Sequence, residues 1–327
     1  MKIDIVIPWV DGNDPEWIEE KSKYEPCKGT DDRVNRYRDW DLMRYWFRGI
    51  EKYMPWINRI HFITWGHIPE WLDTSNPKLN IVNHKDYIPG DVLPVFSSHP
   101  IELNMHRIDG LTEHFIYFND DMFVVRPMKQ EEFFAGGLPV DTVTEVPLRF
   151  NPGGIDSIIG NDMMVINKNF NKSEVIKKNK KLWFSLKNPK ATLKNLYMKP
   201  VNGFSAFDNP HIPQPFLKST FETLWDKEEE LLNETSSHRF RSNEDVNQWL
   251  FRYWQFASGN FVQGKGDKGR FFSIGRDDEL IKKTIKNKEY AMVCLSDDDV
   301  NLDFEAEKKT LVELFQSVLP DKSGFEK

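Results

Sequence analysis

The sequence predicts an α/β fold with a mostly parallel sheet flanked by helices and a more helical C-terminal part. Short β-branched and aromatic runs alternate along the chain with segments whose apolar residues recur every three or four positions. The connections between them are short, which is typical of strand–helix–strand units in a parallel sheet. At 327 residues, the chain is long enough for one large domain or two small ones.

The first half of the chain supplies most of the predicted sheet. Residues 3–10 form an apolar, β-branched run that stops at a cluster of turn residues, so they predict a buried strand. Apolar side chains at helical spacing predict a helix over 41–53. Residues 60–65 and 79–82 predict two further strands, with a short helical turn at 68–73 between them.

The same alternation continues with a predicted helix over 102–108 and a predicted strand over 114–118. This strand ends in the polar residues 119–121, after which 122–125 again predicts a strand. Ligands of open α/β sheets collect at the carboxyl ends of the strands, so we expect a site at these residues.

The second half of the chain is predicted to be mainly helical. Residues 127–170 show little regular pattern, and the Lys-rich segment 171–200 predicts peripheral helices. Ser242, with acidic residues after it, predicts a capped helix start. The remaining predicted elements are helices at 277–288 and 305–319, a strand at 290–295 and a frayed tail at 320–327.

Composition narrows the class of protein. With 44 Lys and Arg against 51 Asp and Glu, the net charge is −7, which argues against non-specific nucleic-acid binding. Aromatic residues make up 13% of the chain, which is typical of a bulky core, and a sugar or nucleotide site is the alternative.

The cysteines and the N-terminus bear on the compartment. Cys27 and Cys294 are far apart and form no CxxC pair, so we expect neither a disulfide framework nor a thiolate zinc site. We also expect no signal peptide and no membrane-spanning segment, because no stretch is apolar enough. A cytoplasmic location is the resulting expectation.

The acidic pair Asp120 and Asp121 is the first candidate site. Adjacent carboxylates at a strand end suit Mg²⁺ or Mn²⁺ and a nucleotide diphosphate. Asp11 and Asp14, in a second turn that follows a strand, are expected on the same side of the sheet. The alternative to a binding role is that these aspartates form turns or cap helices.

The predicted helix over 102–108 carries the second candidate. Glu102, His106 and Asp109 would share one of its faces, and Arg107 beside them can bind phosphate through two parallel hydrogen bonds. The alternative is that His106 is a structural residue whose ring is hydrogen-bonded within the fold.

Two further candidates lie near the second half of the chain. His211 lies in a proline-stiffened turn, which would present its ring with fixed geometry. Arg239 and Arg241 precede the predicted helix start at Ser242, a position that suits an anionic ligand. Solvated surface arginines are the alternative there.

Four long blocks, in this order, closely resemble the conserved blocks of the Stealth family: residues 3–17, 37–72, 101–124 and 238–254. That family comprises bacterial capsular and exopolysaccharide phosphotransferases and the catalytic subunit of the animal N-acetylglucosamine-1-phosphotransferase. The resemblance implies a Rossmann-like or glycosyltransferase-A-like sheet. It also implies transfer of a hexose-1-phosphate, such as an N-acetylhexosamine-1-phosphate, from a nucleotide diphosphate sugar to a glycan hydroxyl.

The resemblance assigns substrate binding to residues from all four blocks. These are Gly12, Asn13, Asp14, Arg38, Asp39, Glu102, Asn104, Arg107, Asn119, Arg239, Glu244 and Asp245.

Catalysis is assigned to His211, His106, Asp11 and Arg241, with Mg²⁺ or Mn²⁺ on Asp120 and Asp121. A histidine of near-neutral pKa is the natural acceptor for the proton of the attacking hydroxyl. The family has a His-x-Pro-His motif, and in this sequence Gln214 stands in place of its second histidine. If that histidine accepts the proton in the family, His211 or His106 would accept it here.

The resemblance also implies partners and a domain plan. We expect a catalytic domain over 1–260 with a helical insertion at 171–200, and a C-terminal part, 261–327, on the same domain. The acceptor would be an oligosaccharide, lipid-linked at the inner face of the membrane. Residues 171–199 are expected to form a solvated helical face, and contact with anionic lipid is the alternative. The alternatives are a metal-dependent glycosyltransferase of similar fold and a non-catalytic carbohydrate-binding protein.

Overall fold

The computed structural model describes residues 1–24, 33–149, 155–266, 268–299 and 301–327, so Cys27 lies outside the described residues. Its strands are β1 Ile3–Pro8, β2 Arg59–Thr64, β3 Leu79–Asn83, β4 His114–Tyr117, β5 Met122–Val124, β6 Phe134–Ala135, β7 Leu138–Asp141, β8 Glu145–Val146, β9 Ala206–Phe207, β10 Gln214–Leu217, β11 Val262–Gln263, β12 Gly269–Ser273 and β13 Met292–Ser296. Its helices are α1 Pro15–Ser22, α2 Met43–Tyr53, α3 Ser98–Leu103, α4 Asp156–Asn169, α5 Lys172–Lys178, α6 Lys180–Trp183, α7 Pro189–Met198, α8 Lys218–Ser237, α9 Trp249–Ser258, α10 Asp278–Asn287 and α11 Phe304–Val318.

The central sheet confirms the predicted fold class. Its strand order is β10-β4-β1-β2-β3, and β4, β1, β2 and β3 run parallel while β10 runs antiparallel to β4. Ile5 of β1 is aligned with Ile60 of β2 and with Ile116 of β4, and all three are buried. A strand covered on both faces needs such a continuous apolar run.

The two faces of this sheet hold separate cores. Ile5 contributes to a cluster that includes Phe47 of α2 and Phe315 of α11. Val6, pointing the other way, belongs to a second cluster with α8 and α9, in which the rings of Phe221 and Phe251 stack. Helices therefore cover both faces of the sheet, as predicted.

The C-terminal tail is ordered, so the predicted fraying at 320–327 is wrong. Phe325 belongs to the same buried cluster as β1, and the Glu326 carboxylate accepts two hydrogen bonds of 2.8 Å from Arg48. Their side chains are only 7% and 1% exposed. A buried guanidinium needs such a partner, which fixes the tail in place.

Two predicted elements between the strands are also wrong. Residues 68–73 form turns rather than a helical turn, and their backbone pairs with the tail instead, through Leu72 and Glu326. The helix expected at 102–108 is broken, because α3 ends at Leu103 and a separate 3₁₀ turn covers Met105–Arg107.

The helix start expected at Ser242 is wrong as well. Ser242 accepts a backbone hydrogen bond from Asp245 in a turn, and α9 begins only at Trp249. Arg239 and Arg241 therefore do not precede a helix N-terminus.

The Lys-rich segment is helical, as predicted, but it is not wholly peripheral. It contains α5, α6 and α7, and Lys172 is buried with its Nζ 2.8 Å from the Glu145 carboxylate. None of the helices in the described ranges combines the length and the apolar character needed to cross a bilayer.

Candidate functional site

A cavity of about 850 Å³ opens at the carboxyl ends of β1 and β4. Its walls come from the residues that follow β4, from the turn before β10, from the segment before α2 and from β12 and β13. The sequence-predicted site residues that line it are Arg38, Asp39, Asn119, Asp120, Asp121, His211 and Arg241. Seven candidates from distant parts of the chain are thus brought together.

Carboxylates crowd one wall of the cavity. Asp120 is exposed to the open cavity, yet burial by the surrounding protein and the charges of Asp121 and Asp39 raise its pKa to about 7. Burial likewise raises the pKa of Asp39, and the charges of Asp41 and Asp11 add to the shift. Grouped carboxylate oxygens are a donor set that suits a hard divalent ion.

Asp121 supplies the clearest sign of a cation site. Its Oδ1 is buried and has no hydrogen-bond partner among the described residues. Its Oδ2 accepts a hydrogen bond of 3.3 Å from the Cys294 thiol and lies 3.6 Å from Nε2 of His211. These three residues place one ligand atom each within 4.8 Å of one another.

Cys294 does not turn this cluster into a thiolate site. Burial, followed by the charge of Asp121, raises the pKa of Cys294 well above its usual range, so the sulfur keeps its proton. A protonated thiol is a poor metal ligand. The other two potential ligands of this cluster are the Asp121 carboxylate and the His211 ring, and Asp120 is the neighbour of Asp121 in the chain. Carboxylate oxygens suit Mg²⁺ or Mn²⁺.

His211 stands over the acidic wall with a constrained backbone. Its φ of +46° is unusual for a residue with a side chain, and Pro210 and Pro213 lie on either side. The ring meets Trp249 and Phe271 edge-on and lies 3.5 Å from Nδ2 of Asn119. The ring is therefore held in one orientation above the acids.

The pKa of His211 is set by two opposing effects. Burial lowers it, but the hydrogen bond to Asp121 and the charge of that residue outweigh burial and raise the pKa above its usual value. The Asp121 carboxylate therefore stabilises the protonated ring.

Basic side chains face the acids across the cavity. Arg241 donates a 2.9 Å hydrogen bond to Oγ of Ser98 on α3, and Arg38 lies 3.3 Å from the Asp297 carboxylate. Arg270 on β12 also lines the cavity. Guanidinium groups beside a carboxylate wall are the arrangement that a metal-bound diphosphate requires.

Sequence reasoning missed part of this site. Asp297 and Asp298 follow β13 and line the cavity, and so does Arg270. The sequence does contain a signal for Asp297 and Asp298: an acidic run follows the predicted strand at 290–295, just as Asp120 and Asp121 follow β4. What the sequence did not show is that β13 pairs with β5 and so brings both runs to one place.

The turn after β1 packs beside the cavity without lining it. Asp14 caps α1 by accepting a 2.8 Å hydrogen bond from the Trp17 amide, and Asp11 accepts one from the amide of Asn13. A Cβ on Gly12 would lie 2.1 Å from the Tyr37 carbonyl oxygen, so only glycine fits there. This turn supports the segment that carries Arg38.

The α3 segment, which we define as residues 98–107, contributes no lining residue to the cavity. Glu102 is buried and accepts a 3.0 Å hydrogen bond from the Tyr117 hydroxyl, while buried Asn104 donates to the Pro100 carbonyl.

His106 and Arg107 pack on α8 instead of facing the cavity. The His106 ring lies against Trp225, and burial and then the Arg107 charge lower its pKa to about 4. Arg107 lies over the same tryptophan, 4.3 Å from its ring centroid.

The loop 238–245 holds Arg241 through a buried carboxylate. Asp245 is 0% exposed and accepts 2.6 Å hydrogen bonds from Nδ1 of both His99 and His238. Arg239 lies over Tyr24, outside the cavity lining, and Glu244 is exposed. Of the four candidates in this loop, Arg241 alone lines the cavity.

Comparison with known proteins identifies the chain's family. Three family models match it: Stealth protein conserved region 1 at residues 1–26, conserved region 2 at 36–139 and conserved region 3 at 210–256. The chain belongs to the Stealth family. Our second and third sequence blocks both lie within conserved region 2, and the cavity combines Asp120 and Asp121 from region 2 with His211 and Arg241 from region 3.

Relatives extend over the whole chain. It is 39% identical to the capsular polysaccharide phosphotransferase WcwK of Streptococcus pneumoniae over 100% of this chain and 98% of the relative. It is 36% identical to the exopolysaccharide phosphotransferase cps2G of Lactiplantibacillus plantarum over 99% and 96%. A solved structure, galactosyltransferase LgtC with donor and acceptor sugar analogues, covers 96% of this chain and 95% of its own at 11% identity and a TM-score of 0.39. The prediction that this Stealth protein is a transferase is confirmed by the curated relatives.

Proposed function

We propose that this protein transfers a hexose-1-phosphate from a nucleotide diphosphate sugar to a glycan hydroxyl, forming phosphodiester linkages in a capsular or exopolysaccharide. The observation that carries the proposal is the cavity at the end of β4, where Asp120 and Asp121 face His211 and Arg241. The curated relatives, which are named capsular and exopolysaccharide phosphotransferases, support the reaction class.

The reaction has one bond to form and one to break. The acceptor oxygen attacks the β-phosphorus of the donor, and the bond from that phosphorus to the bridging oxygen breaks. The leaving group is a nucleoside monophosphate, and the sugar keeps its bond to the β-phosphate. Such a displacement depends on positioning and on neutralising charge more than on covalent catalysis.

His211 is the residue that we propose to accept the hydroxyl proton. It lines the cavity, lies 3.6 Å from Asp121, and its pKa is raised rather than depressed. His106 was the competing candidate, but its ring packs on Trp225 and its pKa falls to about 4. Asp11, the other competitor, lies beside the cavity and accepts a hydrogen bond from Asn13.

The phosphates are proposed to lie between the acidic wall and the arginines. Asp120 and Asp121 would hold Mg²⁺ or Mn²⁺, which neutralises developing charge on the diphosphate when it is bound. The partnerless Oδ1 of Asp121 and the raised pKa of Asp120 support a cation there. Arg241 and Arg38 would bind phosphate oxygens, and Asn119 would orient the donor from the same wall.

The acceptor is proposed to be a lipid-linked oligosaccharide at the inner face of the cell membrane. The polysaccharides in the relatives' names are cell-surface products, which supports such an acceptor. The protein would then work as a peripheral enzyme in the cytoplasm.

Product analysis tests the proposed reaction. Donor and acceptor are incubated with enzyme and Mg²⁺, the nucleotide is separated by chromatography, and the product is examined by phosphorus NMR. We expect a nucleoside monophosphate and a phosphodiester resonance. Release of a nucleoside diphosphate would instead identify a glycosyltransferase of similar fold, and no nucleotide release would identify a non-catalytic binding protein.

A further inference from the structure

One surface of the molecule exposes an unusual number of large apolar side chains. Leu186 is 89% exposed, Leu193 68% and Tyr197 78%, and Leu196 and Val201 are exposed beside them. We call the surface formed by residues 186–201 the α7 face. Single exposed apolar residues are ordinary, but a cluster of this kind marks an interaction site.

The orientation of α7 shows that this exposure is built into the fold. Its inner side is formed by Ala191, Asn195 and Met198, which are all buried. Asn195 donates to the carbonyls of Val143 and Trp183 and accepts from the amide of Glu145. With that side anchored, helical geometry sends the leucines and the tyrosine outward.

The charge on the α7 face identifies the kind of partner. Residues 186–201 contain Lys187, Lys190, Lys194 and Lys199 but no Asp or Glu, in a chain of net charge −7. Asp208, 3.4 Å from Lys194, offsets one of these charges. Leucine and tyrosine flanked by lysine is the composition of helices that lie in an anionic lipid interface.

A groove connects this face with the cavity described above. It has a volume of about 700 Å³, and Leu193 and Tyr197 line its outer part. Ile155, Asn209 and Trp249 line both the groove and the cavity. The groove and the cavity therefore adjoin at these three residues, on the side of the cavity that holds His211.

We propose that the α7 face docks on an anionic lipid bilayer, and that the groove admits the sugar end of an acceptor anchored in that bilayer. Docking rests on the exposed apolar and basic side chains alone, whereas the role of the groove rests on the proposed function. The leucines and the tyrosine would enter the headgroup region while the lysines contact lipid phosphates.

Vesicle sedimentation of the full chain tests the docking. The probes are phosphatidylcholine vesicles with and without phosphatidylglycerol, and the variant is L186S/L196S, whose two leucines do not line the groove. We expect binding to the anionic vesicles, weakened about tenfold by the variant and also weakened by 1 M NaCl. The control I68S/L280S removes two other exposed apolar side chains, 41% and 45% exposed, and should bind as the unaltered protein does.

Three results would overturn the proposal. They are no binding to anionic vesicles, equal binding by L186S/L196S and the unaltered protein, and a self-associated species in sedimentation equilibrium that L186S/L196S dissociates. The last result would assign the face to contact between copies of the chain. Vesicle binding does not depend on turnover. A protein that fails to bind vesicles would therefore contradict the docking but not the proposed reaction, and a product analysis without a phosphodiester would contradict the reaction but not the docking.

Discussion

The cavity at the end of β4 and the α3 segment both contain candidate site residues of the sequence analysis, but the structure uses their charged groups differently. In the cavity, Asp120 is pushed to a pKa of about 7 and Oδ1 of Asp121 has no partner among the described residues. In the α3 segment, Glu102 accepts a hydrogen bond from Tyr117 and His106 is kept neutral by burial. The first region therefore keeps carboxylates that repel one another. In the second region Glu102 has a hydrogen-bond donor and His106 carries no charge.

This difference distinguishes a binding site from a packing element. Crowded carboxylates cost stability, and they are typical of sites where function requires them, such as sites that bind a cation. In the α3 segment Tyr117 donates to Glu102 and Trp225 covers His106, and no carboxylates repel one another there, although Oδ1 of Asn104 and Nδ1 of His106 have no partner among the described residues. Substitutions of matched residues in the two regions separate these roles.

The largest effect is expected for Asp121. Replacing it with Asn removes a proposed metal ligand, and we expect turnover to fall about 10⁴-fold because charge on the diphosphate is no longer neutralised. Asp109→Asn, an exposed acid just beyond the α3 segment, should keep turnover within about twofold in the same steady-state assay. Equal loss in both variants would remove the distinction between the two regions.

The two histidines give the next contrast. His211→Gln should lower kcat on the order of 10³-fold, since no other cavity residue is proposed to accept the hydroxyl proton. His106→Phe keeps the aromatic packing on Trp225 and should leave kcat within about threefold. A stronger loss from His106→Phe than from His211→Gln would reverse our assignment of the base.

The two arginines form the third pair. Arg241→Ala should lower kcat/KM about 100-fold, because a cation facing the phosphates is lost. Arg107→Ala removes a side chain that lies over Trp225, so we expect a change in stability rather than in kcat/KM. Kinetics and thermal unfolding of both variants separate the two effects, and unimpaired catalysis by Arg241→Ala would contradict the site.

The burial of His106 predicts a pH dependence of stability. The unfolded chain binds a proton on this ring near pH 6.5, whereas the folded protein binds it only at about 4. The free energy of unfolding should therefore fall as the pH drops from 6.5 towards 4, by about 2 kcal/mol at pH 5 from this group alone. His106→Phe should show a correspondingly flatter profile in urea titrations between pH 5 and 8. A profile parallel to that of the unaltered protein would show that the ring is not kept neutral.

The smallest effect is a gain of stability at Asp120. Asp120→Asn relieves repulsion from Asp121 and Asp39, so the free energy of unfolding at pH 7 should rise by about 1 kcal/mol. The figure is modest because the side chain is exposed to the cavity. Asp120→Asn should lose turnover while it gains stability, and a variant that loses both would indicate a structural role for this acid.

The elements that the sequence predicted well are those with local signals. β1 and β4 are short apolar runs that end in polar turn residues, and α2 has apolar residues at helical spacing, so their positions followed from the sequence. Helix α8 was missed, because its pattern is interrupted by a non-helical residue, Glu228, whose carboxylate is satisfied by Lys168 and Asn169 at the end of α4. Hydrogen bonds from residues that are distant in the sequence leave no recognisable pattern in the segment that receives them.

The same limit applies to the site. Asp120 and Asp121 could be assigned from their place after an apolar strand, and His211 from its prolines and the family resemblance. The false helix start at Ser242 had a physical cause, since Asp245 does accept the Ser242 amide but serves His99 and His238 in a turn. Asp297 and Arg270 reach the cavity through strand pairing that only the three-dimensional structure shows.

The most direct test of the account is a crystal structure with Mg²⁺ and a non-reactive nucleotide diphosphate sugar. We expect the metal to bind Asp120 and Asp121, the diphosphate to contact Arg241, and His211 to be the histidine nearest to the β-phosphorus. A diphosphate bound elsewhere, or one whose β-phosphorus lies nearer to His106, would contradict it.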